Sequence, residues 1–170
     1  PGSRVTGYGL VSTAGNGLEY VDSGCIKTTE KATLPERLDM IFAGVTKVIE
    51  QFLPTELALE QIFMARNAKS ALKLGHARGV AMVASVNQGL SVYEYEARKV
   101  KQAVVGTGAA TKEQVQYMVA KLLNLEGSPQ PDAADALAVA ICHINTQHNV
   151  ARLTGSAPTT GARLTEERTN

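Results

Sequence analysis

The chain has 170 residues, enough for one domain with a sizeable core. Apolar residues make up 44% and charged residues 19%, ordinary for a globular protein, and no run approaches the roughly 20 apolar residues of a membrane span. The formal net charge of +1 gives by itself no reason to expect a polyanionic partner.

Residues 4–11 read as a strand with a glycine-rich entry, Gly7-Tyr8-Gly9. Ala14-Gly15-Asn16-Gly17 is a turn, with Asn-Gly as a hairpin signal. Residues 18–28, rich in Tyr, Val and Ile, form the returning strand. From Leu34 to Phe52 the apolar positions Leu38, Ile41, Phe42, Val45, Val48, Ile49 and Phe52 recur at helical spacing. Pro35 suits the first turn of that helix, and Pro54 follows its end. Glu56-Leu57-Ala58-Leu59-Glu60 has the length of a buried strand and closes on a carboxylate.

Residues 67–87 predict a long helix on which Ala71, Gly75, Gly79 and Val83 recur every four positions. A glycine inside a helix costs about 1 kcal/mol relative to alanine. The small face therefore points to a close backbone contact, either internal or between subunits. A strand at 90–95, a short helix at 98–105 and an amphipathic helix at 110–125 follow. Residues 132–145 are apolar nearly all round and predict a buried helix. The domain is expected to span residues 1–150, with 151–170 a disordered tail rich in Thr, Gly, Ser and Ala. Hairpin, helix, strand, helix, strand and helices together predict an α/β fold with a mixed sheet.

Charge is unevenly spread. Between residues 61 and 123 nine basic residues face three acidic ones, +6, so the remainder carries −5. A basic middle fits a polyanion, and it equally fits a set of solvated helix faces. Cys25 and Cys142 sit in apolar runs and read as buried, reduced thiols of a cytosolic protein; no Cys/His cluster suggests zinc.

Three carboxylates have a pattern with chemical meaning. Asp132 and Asp135 share one face at the start of a helix, and Glu60 ends a buried strand. Hard divalent cations take several oxygen ligands, and a pair of such ions across a phosphodiester activates water and stabilises the leaving oxygen. By spacing alone Asp132 could equally be an N-cap, Asp135 a first-turn acid and Glu60 an ordinary strand end.

Longer motifs narrow the choice. Pro1-Gly2-Ser3-Arg4-Val5-Thr6-Gly7-Tyr8-Gly9, Glu60-Gln61-Ile62-Phe63-Met64-Ala65-Arg66-Asn67-Ala68, Ser70-Ala71-Leu72-Lys73-Leu74-Gly75-His76-Ala77-Arg78-Gly79, Val100-Lys101-Gln102-Ala103-Val104-Val105-Gly106-Thr107-Gly108 and Pro131-Asp132-Ala133-Ala134-Asp135-Ala136-Leu137-Ala138 resemble, in order, the bacterial RuvC family of Holliday junction resolvases. The likeness runs to about residue 148. It implies a ribonuclease-H-like fold with a mixed central sheet flanked by helices. It also implies a cytoplasmic homodimer that nicks two like-polarity strands of four-way junction DNA with magnesium, two ions per active site. Cooperation with the RuvA and RuvB branch-migration complex is a further implication.

On this resemblance Glu60, Asp132 and Asp135 are catalytic metal ligands, and Lys101 and Lys112 act near the scissile phosphate. Phe63 stacks on a base of the opened junction, and Arg66, Lys69, Lys73 and Arg78 make phosphate contacts. The family has a fourth carboxylate, an Asp directly before Pro-Gly-Ser that ends the first strand. The chain opens at Pro1, so that strand is expected upstream, and a junction-binding fragment without cutting is the alternative reading. His76, His143 and His148 read as structural or surface residues. An actin-like ATPase fold would need a second glycine-rich phosphate loop, and no convincing one is found.

Overall fold

The computed structural model describes residues 2–15, 17–61 and 68–155. Strand β1 (Val5–Ala14) pairs antiparallel with β2 (Gly17–Lys27), from Val5↔Lys27 to Ala14↔Gly17, with a bulge between Leu10 and Val11. Helix α1 (Leu34–Phe52) begins on a capping box between Thr33 and Glu36 with Pro35 in its first turn, and stops at Leu53 in the left-handed region. Strand β3 (Glu56–Glu60) then runs parallel to β4 (Ser91–Tyr95), connected through α2 (Ala68–Asn87).

Three helices complete the chain: α3 (Ala97–Val105), α4 (Lys112–Leu122) and α5 (Pro131–Thr154). Among the described residues the strands form two separate pairs, β1–β2 and β3–β4, rather than one continuous mixed sheet. What unites them is α5, which packs against all four strands and against α3 and α4. Leu137, Ala138, Ile141 and Cys142 of α5 are the centre of a core that also holds Val100, Val104, Val115 and Val119.

Two glycines let α5 lie directly on β1. A Cβ on Gly7 would run into the backbone carbonyl of Asp132, and a Cβ on Gly9 would come within 2.7 Å of the Leu137 side chain. Both sit on one face of the strand, two residues apart. The glycine-rich entry is thus a seat for the helix that carries the Asp pair.

Helix α5 outruns its expected end at residue 145 by nine residues and stops at Gly155, which is left-handed at φ 68°. Both cysteines are free, as expected. Cys25, however, is half-buried and not a core residue, because β2 lies over the start of α5 at the domain surface. Among the described residues no helix is long and apolar enough to cross a membrane.

Candidate active site

The three carboxylates come from the C-terminal end of β3 and the first turns of α5. Gln130, not Asp132, is the N-cap of α5. Its Oε1 accepts from the backbone N–H of Asp132 at 3.0 Å and of Ala133 at 3.3 Å, while its Nε2 donates to Asp132 Oδ2 at 3.2 Å. The Cys25 thiol donates to the same Oε1 at 2.7 Å. Burial, and then the nearby Asp132 charge, push that thiol's pKa up. Pro131 occupies the first helical position, so Asp132 is relieved of capping and held in place by its neighbour. Glutamine is not a favoured cap residue, which is why the sequence did not single it out.

Glu60 keeps contact with solvent, yet enough protein surrounds it that desolvation raises its pKa. The negative charge of Asp135 adds to the rise, and Lys101 and Lys112 oppose it. These two acids from different elements are therefore within electrostatic reach of each other, and Glu60 within reach of Lys101 and Lys112. Arg78 clamps the end of β3: its Nε donates to the Glu60 carbonyl at 3.2 Å, and its guanidinium pairs with Glu94 on the adjacent strand.

Lys112 Nζ lies 2.9 Å from Asp135 Oδ2. The lysine is the first residue of α4, a helix fixed by a capping box between Thr111 and Gln114. A cation at that position works against the helix dipole, which favours acids there. The Asp135 bond compensates and, with the more distant Asp132 and Glu60, raises the lysine pKa. Lys101 is half-buried on α3, between the buried Val100 and Val104 positions, and faces Glu60 electrostatically.

The donor set is made of oxygen and suits a hard cation such as magnesium. Among the described residues no three His, Cys, Asp or Glu side chains are drawn together closely enough to hold an ion. A cation at Asp135 would need Lys112 to release it.

Of the other residues singled out in the sequence, Lys73 is exposed on α2 and Arg78 is engaged as above. Phe63, Arg66 and the Lys69 side chain lie outside the described residues. Gly75, His76, Gly79, Val80 and Val83 of α2 line a groove of about 350 Å³ with Leu38 and Phe42 of α1. Neither Gly75 nor Gly79 has an atom within 4 Å of where a Cβ would project, so no contact within the described residues requires these glycines. His143, read as structural or surface, is buried at 6% exposure and hydrogen-bonded at both ring nitrogens.

The family model for crossover junction endodeoxyribonuclease RuvC matches residues 1–143. The crossover junction endodeoxyribonuclease RuvC of Vibrio vulnificus (strain CMCP6) is 60% identical over 157 residues, 92% of this chain and 90% of that protein. The protein of the same name from Aliivibrio salmonicida (strain LFI1238) is 58% identical over 163 residues, 96% of this chain and 92% of that one. Among solved structures, T. thermophilus RuvC in complex with a Holliday junction substrate superposes with a TM-score of 0.81 at 35% identity, covering 93% of this chain and 94% of the other. A second Thermus thermophilus RuvC structure gives 0.77 at 34% identity, covering 95% and 96%.

Proposed function

Because this chain belongs to the RuvC family of crossover junction endodeoxyribonucleases and has its ribonuclease-H-like fold, we propose that it resolves Holliday junctions by symmetric, magnesium-dependent nicking of two like-polarity strands. The supporting observation is that Glu60, at the end of β3, lies within electrostatic reach of Asp135 on α5 and of Lys101 and Lys112, with Lys112 Nζ 2.9 Å from Asp135 Oδ2. Glu60, Asp132 and Asp135 would hold the magnesium ions, two per site, which when bound supply an activated water and charge stabilisation at the leaving oxygen.

The chain's own residues do the rest. Lys101 and Lys112 hold the scissile phosphate and offset the charge that builds on it in the transition state. Phe63 stacks on a base of the opened junction, and Arg66, Lys69 and Lys73 position the phosphate backbone without reading sequence. Arg78 would have to give up its bonds to Glu94 and Glu60 to join them, so its first role is to fix the end of β3.

The open groove between α1 and α2 is the proposed homodimer contact, presenting one active site to each of two opposed strands. The cytoplasm is the proposed compartment, and RuvA with RuvB the proposed partner complex. The test is incubation of labelled four-way DNA with magnesium, using this chain and a form carrying an Asp-ended strand ahead of Pro1. Paired symmetric nicks by either support the reading. A gel shift without nicks from both leaves a junction-binding protein and overturns the catalytic proposal.

A further inference from the structure

A second set of titratable side chains lies between the β3–β4 pair and α5, away from the carboxylates. His143 Nδ1 is 2.8 Å from the Tyr95 hydroxyl, and His143 Nε2 is 2.8 Å from Glu56 Oε2. Burial pushes the Tyr95 pKa up to about 12, so its O–H remains a donor. A carboxylate can only accept, so Nε2–H donates to Glu56 and Nδ1 is left to pair with the Tyr95 hydroxyl. The Tyr93 ring lies tilted against the His143 ring with centroids 4.7 Å apart, and burial, then the nearby Glu56, raise the Tyr93 pKa. Side chains from β3, β4 and α5 are thus locked together, and a buried network of this kind is costly to leave partly made.

Its position relates it to the site. Glu56 and Glu60 share one face of β3, four residues apart, about 13 Å along a strand. Asp135 and His143 are eight residues apart on α5, about 12 Å along a helix. Glu56 meets His143 at one end of these nearly equal spans, and Glu60 lies within electrostatic reach of Asp135 at the other. Strand and helix behave as two rulers pinned at one end. A slip of α5 by one residue moves the Asp pair about 1.5 Å past Glu60.

We infer that the Glu56–His143–Tyr95 network is a positioning device, setting the sliding register of α5 on β3 and so the approach of Glu60 to Asp132 and Asp135. This rests on the proposal that those carboxylates hold a divalent ion. His143 touches no substrate and acts through the helix.

The experiment compares the parent chain with His143→Gln and with the double variant His143→Leu/Glu56→Leu, which removes the network without stranding a charge. Manganese uptake is followed by loss of the free-ion paramagnetic resonance signal, junction binding by gel shift without divalent ions, and folding by thermal melting. The double variant is expected to melt and to shift junctions like the parent, but to bind manganese about tenfold more weakly. His143→Gln, which keeps a donor to Glu56, is expected to fall between the two. Manganese binding by the folded double variant equal to the parent's would overturn the inference. If the double variant does not fold, parental binding by His143→Gln overturns it instead. A parent that takes up no manganese overturns the metal site itself, and the inference with it.

Discussion

Lys112 Nζ sits 2.9 Å from Asp135 Oδ2, an ion pair in which both side chains remain about half exposed. Exposed pairs contribute about 0–1 kcal/mol, so this bond is easily surrendered. On the proposed function, the lysine would neutralise the carboxylate until a cation takes its place and would then be free for a phosphate. Lys112→Gln is therefore expected to lower the nicking rate by about 10²-fold. Junction affinity in gel shifts should change little. The raised lysine pKa places the pair's contribution below the ordinary lysine range, and it is lost only as pH rises through the still higher folded value. Melting curves of variant and parent should then run parallel from pH 6 to about 9.

Glu60→Gln should abolish nicking and at the same time stabilise the fold. Desolvation and Asp135 raise the folded pKa of Glu60 above its unfolded value. Between the two values the folded state binds more protons, so this group's contribution falls as pH climbs from the ordinary glutamate value of about 4.3 through the folded one. At pH 7 the ionised carboxylate is a liability that the amide removes. A higher melting temperature for the variant at pH 7, with the gain vanishing below about pH 4, is the expected result. Retained nicking by this variant would remove Glu60 from the mechanism.

Gly7→Ala tests the seat of α5. The added methyl would press on the Asp132 carbonyl, and backbone cannot swing aside as a side chain does. A loss of about 1–3 kcal/mol in urea unfolding is expected, together with weakened nicking because the Asp pair moves. Unchanged stability would mean that the helix can shift without cost.

Gly75→Leu tests the proposed subunit contact. Gly75 has open space at its Cβ position, so leucine there fits the lone chain. The variant is expected to melt near the parent's temperature but to elute as a monomer on sizing chromatography. An unchanged dimer would place the contact elsewhere.

Elements with sharp chemical punctuation were legible in the sequence. Helix α1 and strand β3 begin and end where Pro35, Pro54 and the Glu56–Glu60 run place them. The end of α5 was not legible: Asn145, Thr146, Gln147, His148 and Asn149 break the apolar pattern, yet polar residues do not stop a helix. The left-handed Gly155 does. The carboxylates stand out through flanking motifs, since their spacing alone fits several roles. The Gln130 cap, the Arg78 clamp and the His143 network were not found. Their partners lie up to 105 residues apart, and no periodicity marks such pairs before the chain is folded.

Helix α5 is also where the two strand pairs share their support. Detaching that helix would therefore loosen both pairs at once. Amide protons from β1 and β3 should then exchange through one shared opening event, quickened together by any change that loosens α5.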